Sequence, residues 1–140
     1  MSAASIVDEF ADPYVAAFPE TAPFWEASRR GALVLPWCED CGRSHWHPRP
    51  FCPLCGASRL VWRLSTGRGQ LYSFSVDRKA AVPVVVAYVA LDDGPLLMTN
   101  IVGTDPGELQ IGQAVQVAFR AAPESRMVPV FEVFPQSSPD

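Results

Sequence analysis

Two copies of one short pattern constrain this chain more than anything else in it. Cys38-Glu-Asp-Cys41-Gly42 is followed by Cys52-Pro-Leu-Cys55-Gly56, with ten residues between Cys41 and Cys52. A C-x-x-C-G turn brings two thiolates into one corner. Its glycine supplies the positive-φ residue that lets backbone N–H groups reach the sulfurs. Two such corners face to face make a tetrahedral four-sulfur site, and the chain holds no further cysteine. Zinc fits that geometry and needs no redox partner. Iron in a rubredoxin-type site has the same ligands and stays the alternative. Two disulfides do not suit a reducing compartment. A thioredoxin-like redox motif uses one C-x-x-C at a helix start. All four ligand positions are filled by protein, so the metal at Cys38, Cys41, Cys52 and Cys55 is expected to be structural. His45 and His47, between the two knuckles, read as packing or surface residues. Trp37, Trp46 and Trp62 bracket the ribbon and supply bulk where so short a unit has little core.

Upstream, the chain reads as helical. Ile6, Val7, Phe10, Tyr14, Val15 and Phe18 fall at near-helical spacing, and Asp12-Pro13 suits a helix start. A second short helix has Thr21 as a candidate N-cap, Pro23 in its first turn, Phe24 and Trp25 facing inward, and Gly31 as a stop. Ala32–Trp37 then reads as a strand into the first knuckle, and Ser44–Pro50 as the arm into the second.

After Gly56 the texture is that of strands: Leu60–Leu64, Gln70–Asp77, Val82–Leu91, Leu96–Val102, Ala114–Arg120 and Val128–Phe134. Asp92-Asp93-Gly94 is a hairpin turn. One helical turn is expected near Glu108–Ile111, a polar loop at Ala121–Arg126, and a disordered tail at Pro135–Asp140. Five useful strands after a ribbon suit the OB-fold, a small Greek-key barrel, with an SH3-like barrel as runner-up. The expected organisation is a helical segment at 1–31, a zinc ribbon at 32–64, an OB-fold barrel at 65–134 and a tail at 135–140. The fold class is thus mostly β.

Charge divides the chain unevenly. Residues 27–80 carry a net charge of +6, whereas the whole chain has −4. Arginine dominates the basic stretch, and it clamps carboxylate or phosphate in bidentate fashion. Arg49, Arg59, Arg63, Arg68, Arg78 and Lys79 are therefore the candidate anion-binding residues. The longest apolar run, Ala80–Ala90, falls well short of a membrane span. Met1–Phe10 lacks the basic start of a secretory signal, so a cytoplasmic address is expected.

An ordered set of residues resembles a known family. It runs Pro23-Phe-Trp-Glu, Gly31, the two knuckles with Pro48-Arg49 between them, Gly69-Gln-Leu-Tyr-Ser-Phe74, Pro83, Leu91-Asp-Asp-Gly94, Asn100-Ile-Val-Gly103, Ile111-Gly112 and Val133. The chain resembles the bacterial and archaeal zinc-ribbon plus OB-fold proteins long filed as a domain of unknown function and linked to acyl-CoA metabolism. The resemblance covers about residues 20–134. It implies an N-terminal helical segment, a rubredoxin-like zinc ribbon and a C-terminal OB barrel. It also implies partnership with thiolase-like, hydratase or aldolase enzymes, as a non-catalytic accessory subunit or acyl-CoA-binding module. Coenzyme A carries phosphates that the arginines could clamp.

Two other function classes compete. A single-stranded nucleic-acid binder would stack bases on Tyr72 and Phe74, read as two rings on one barrel face. The pI of 5.1 and the acidity of residues 81–140 weigh against it. An enzyme in its own right lacks a visible nucleophile–base pair, and Asp92 and Asp93 read first as a turn. Alone, the chain is expected to turn nothing over. The apolar strand Val84–Ala90 and the helix residues Phe24 and Trp25 are the expected docking surface.

Overall fold

The computed structural model of the chain describes residues 12–122 and 126–134. The expectations for Ile6, Val7 and Phe10 and for the 135–140 tail lie outside these residues. Helix α1 (Pro13–Ala17) begins where Asp12 accepts a hydrogen bond from the Tyr14 N–H at 2.8 Å. Helix α2 (Ala22–Arg29) follows a single 3₁₀ turn. Thr21 does not cap α2 as expected. Its hydroxyl donates instead to the Phe18 carbonyl at 2.6 Å, within the preceding turn. At the other end, the Ala32 N–H reaches the Ala27 carbonyl and the Gly31 N–H reaches Ser28. Those two bonds satisfy carbonyls the helix would otherwise leave unpaired.

They also delay the first strand, because Ala32 belongs to the helix stop. Strand β1 runs Val34–Cys38 and pairs antiparallel with β2 (Leu60–Leu64). The return arm at 44–50 has irregular backbone. It touches β1 through a single bridge, Trp37 with Ser44.

The remaining strands are β3 (Arg68–Asp77), β4 (Val84–Leu91), β5 (Leu96–Val102), β6 (Ala114–Ala121) and β7 (Met127–Val133). They close in the order β3-β4-β5-β7-β6, back to β3. All pairings are antiparallel except β5 with β7, which runs parallel over Ile101–Phe131 and Val102–Glu132. This is the five-stranded Greek-key closure of an OB-fold. The helical turn between β5 and β6 lies at Pro106–Glu108, earlier than expected. Asp105 caps it by accepting from the Gly107 N–H at 2.9 Å, and Pro106 fixes its first residue.

Inward side chains of the barrel, among them Leu71, Val89, Val115 and Phe131, form one buried cluster with Phe24 of α2, Leu33 just before β1 and Leu35 within it. Apolar burial is thus continuous from helix through ribbon to barrel, and this fixes their mutual placement. The Ser28 hydroxyl, also buried, donates to the Met127 carbonyl and ties α2 to β7.

One irregularity changes which rings face outward. The β3–β4 register shifts between Leu71 and Ser73, leaving Tyr72 as the extra residue. Leu71 points inward opposite Val89, and past the bulge Phe74 points inward opposite Ala87. Tyr72 stays exposed. Tyr72 and Phe74 therefore lie on opposite sides of the sheet, which corrects the expected two-ring face.

Candidate metal centre and the surfaces around it

The two knuckles repeat one backbone plan. The Gly42 N–H donates to the Cys38 carbonyl and the Gly56 N–H to Cys52, at 2.9 and 2.8 Å. Cys38 and Cys52 in turn donate to the Arg43 and Ala57 carbonyls. Gly42 and Gly56 sit at φ of 67° and 81°, left-handed values that a side chain would oppose. All four sulfurs lie within 4.8 Å of one another. Cys38–Cys55 and Cys41–Cys52 are 3.6 and 3.8 Å apart. A tetrahedron with metal–sulfur bonds of about 2.3 Å has edges of about 3.8 Å, so a single zinc-sized ion fits the set. Cys38 and Cys52 are buried and Cys55 is exposed, which places the site at the ribbon surface.

Four thiols so close cannot all ionise easily on their own. Burial pushes the Cys41 thiol up, but Arg43 and hydrogen bonds from the other cysteines bring it down to about 7. At Cys55 the Ala57 backbone N–H favours the thiolate. Burial and the three neighbouring sulfurs outweigh it and push the thiol up to about 12. A bound dication removes this conflict by neutralising the thiolates. Arg59, from the second knuckle's exit, ion-pairs with Glu39 and Asp40 of the first, both at 3.2 Å.

Neither histidine joins the sulfur cluster. His45 is buried and His47 is exposed. The tryptophans pack as expected: Trp46 lies 4.7 Å from Phe24, Arg63 covers Trp37 at 4.0 Å, and Trp62 borders the core.

The six candidate anion-binding residues are all exposed but do not converge. Arg59 is held by the acids of the first knuckle, Arg63 by Trp37, and Arg68 by the Phe134 ring at 4.5 Å. Arg68 opens β3, whereas Arg78 and Lys79 follow its far end, roughly 30 Å away at the rise of an extended strand. Arg49 sits between the knuckles.

The outer barrel face carries an apolar stripe. Tyr88 of β4 pairs with Met98 of β5, and Tyr72, Val84, Val86 and Leu96 surround them, all at least 40% exposed. Of the expected docking residues, β4 supplies exposed surface, but Phe24 is buried and Trp25 half-buried in the core. The contribution of β5 lay beyond sequence reasoning, because strand alternation alone does not say which face is inside. No helix among the described residues is long and apolar enough to cross a membrane.

Comparison with known proteins agrees with this architecture. Residues 25–61 match the family described as the ChsH2 rubredoxin-like zinc ribbon domain, and residues 62–120 match the ChsH2 C-terminal OB-fold domain. The chain is 33% identical over 113 residues to a DUF35 domain-containing scaffold protein of Methanothermobacter thermautotrophicus, covering 75% of this chain and 85% of that one. It is 35% identical over 114 residues to a probable enoyl-CoA hydratase alpha subunit of Thermomonospora curvata, covering 77% of this chain. It spans only 36% of that longer subunit. The solved structure titled Ltp2-ChsH2(DUF35) aldolase superposes with a TM-score of 0.71 at 34% identity, over 81% of this chain and 93% of that one.

Proposed function

Because the chain belongs to the DUF35 family, in which a rubredoxin-like zinc ribbon precedes an OB-fold barrel, we propose that it is a non-catalytic accessory subunit of an acyl-CoA-processing enzyme. Cys38, Cys41, Cys52 and Cys55 hold one structural zinc, which stiffens the ribbon. The partner is of hydratase or aldolase type, with a thiolase-like enzyme as the further candidate. The observation that carries this reading is the exposed Tyr72–Tyr88–Met98 stripe on a barrel whose core is already full. Apolar side chains gathered on one outer face mark an interaction surface. A stable complex buries about 1,000 Å² or more, and aromatic residues near its centre dominate the affinity.

Within this reading the ribbon supplies a rigid shape and the barrel supplies the docking face. Arg78 and Lys79, adjacent after β3, meet the phosphates of coenzyme A or an acidic rim of the partner, and Arg49 offers a separate contact on the ribbon. The chemistry belongs to the partner.

The test is reconstitution. The chain is mixed with a candidate hydratase or aldolase subunit from the same organism, and the complex is followed by size-exclusion chromatography and by acyl-CoA turnover. A stable complex with higher activity than the partner alone is expected, and Tyr88→Arg should abolish it while leaving the far-UV spectrum intact. Turnover by the isolated chain would overturn the reading. So would tight, salt-sensitive binding of single-stranded nucleic acid with no effect on any acyl-CoA enzyme.

A further inference from the structure

A cavity of about 410 Å³ lies where the start of β4, the end of β5 and the helical turn at Pro106–Glu108 meet. Its lining is mostly apolar, with Val82, Val84, Val102 and the rings of Pro83 and Pro106. The two prolines have a fixed φ. Asn100, also in the lining, donates to the Val85 carbonyl at 3.0 Å and ties β5 to β4 within the wall. The walls are therefore preformed, and the volume is that of a small-molecule site.

One charged side chain lines this cavity, Arg120 near the end of β6. Residues 81–140 hold two bases, and the other, Arg126, is held by Asp12. Arg120 is exposed, and its guanidinium has no ion-pair or ring partner among the described residues. Its donors are therefore open to solvent and to a ligand. A guanidinium presents N–H groups in a rigid fork that both oxygens of a carboxylate can accept at once. A single cation balances a single negative charge, whereas a phosphate monoester carries nearly two. Thr104 stands in the same lining, and its hydroxyl, free of any described residue, is a further donor.

We propose that this cavity binds an aliphatic monocarboxylate, its oxygens on the Arg120 guanidinium and its hydrocarbon tail against Val82, Val84 and Val102. The ligand is a free acid. Val84 also borders the Tyr72–Tyr88–Met98 stripe, so the test reads residues that belong to the cavity and not to the stripe: Val82, Gly103, Thr104 and Arg120. It requires no partner enzyme, and its failure leaves the accessory-subunit reading as it stands.

The experiment titrates the full zinc-loaded chain with hexanoate, hexanamide and hexylamine, which share one tail and differ in charge, and follows heteronuclear NMR spectra. Hexanoate should shift the amides of Val82, Gly103 and Thr104 and the Nε–H signal of Arg120 in a saturable way. Hexanamide and hexylammonium should bind at least about tenfold more weakly, the loss expected for a hydrogen bond to a charged group. Acetate, with the same head and almost no tail, should also bind at least about tenfold more weakly, because the apolar burial is lost. N-acetylleucine, which carries the carboxylate of a peptide C-terminus, should bind more weakly than hexanoate. Arg120→Gln, at an exposed position, should reduce hexanoate to the affinity of hexanamide. Val82→Asp, also exposed, should weaken hexanoate by like-charge repulsion without disturbing the core. The proposal is overturned if hexanamide or N-acetylleucine binds as tightly as hexanoate, or if the shifts centre on Tyr88 and Met98. Unchanged affinity in either variant, or no saturable shift at all, has the same consequence.

Discussion

The carboxylate of Asp12 meets the guanidinium of Arg126 at 2.7 Å, with the Asp12 side chain wholly buried and that of Arg126 16% exposed. The same carboxylate caps α1, and the same guanidinium lies over the rings of Tyr14 and Trp25 at 4.6 and 5.2 Å. One ion pair therefore fastens the N-terminal helix to the residue that leads into the last barrel strand. Removing one member of a buried pair leaves the other charge uncompensated. Asp12→Asn is expected to lower the unfolding free energy by about 3–5 kcal/mol. Urea denaturation followed by tryptophan fluorescence measures this. A loss no greater than that of an exposed Asp→Asn control, such as Asp77→Asn, would show that the pair contributes nothing.

The metal prediction is quantitative. Purified protein should contain about one zinc per chain, and Cys52→Ser should lose it. The two knuckles should then lose their shape, because the sulfur cluster is what joins them, while Leu35 keeps β1 anchored in the core. Zinc binding displaces protons from thiols such as Cys55, held at about 12 without metal, so affinity should fall as the pH is lowered. Elemental analysis and a zinc titration at two pH values check both statements. Iron in place of zinc would leave the fold argument standing and correct the metal.

Gly69 tests the barrel seam. A Cβ at this position would meet the Ala90 carbonyl oxygen and lie 2.8 Å from Val89 Cγ1. Backbone on the neighbouring strand cannot give way as a flexible side chain can. Gly69→Ala should cost about 1–3 kcal/mol through overpacking. Gly107→Ala is the control: its nearest neighbour, Asp105 Oδ1, lies at 3.5 Å, and the effect should stay within about 0.5 kcal/mol. Equal thermal stability of the two variants would remove the close-approach argument.

The basic residues predict a graded response to coenzyme A. Arg59 and Arg63 are engaged by the ribbon itself, so alanine at either should leave coenzyme A binding nearly unchanged. The double variant Arg78→Ala/Lys79→Ala should weaken it severalfold. Calorimetry on the complex and on the isolated chain separates a phosphate contact from an acidic partner surface. Identical weak heats from every variant would mark these side chains as ordinary solvated surface.

The features legible in the sequence are those set by local chemistry. The two knuckles, the Asp92-Asp93-Gly94 turn, and strands β2 and β5 all announce themselves over a few residues. What escaped depends on tertiary pairing. The bulge at Tyr72 has no glycine or proline to signal it, and it inverts the facing of Phe74 relative to simple alternation. The cap expected of Thr21 failed because the 3₁₀ turn before α2 holds its backbone in a helical rather than an extended conformation. No local pattern links Asp12 to Arg126, since only barrel closure brings them together. At the candidate site the four sulfur ligands could be read directly. The scatter of the arginines could not, because a cluster in sequence becomes a line along an extended strand.

The parallel β5–β7 seam, only two residue pairs long, has a consequence for synthesis on the ribosome. The nascent chain displays Leu71, Val89 and Val115 on an unsealed sheet until residues 127–133 leave the exit tunnel. The ribbon can take up its metal earlier, but α2 cannot lock to the barrel before the Met127 carbonyl arrives for Ser28. Between those moments the unpaired edge of β5 is open to pairing with another chain. Translational pausing or chaperone capture in that interval would decide how much of the protein reaches its native state.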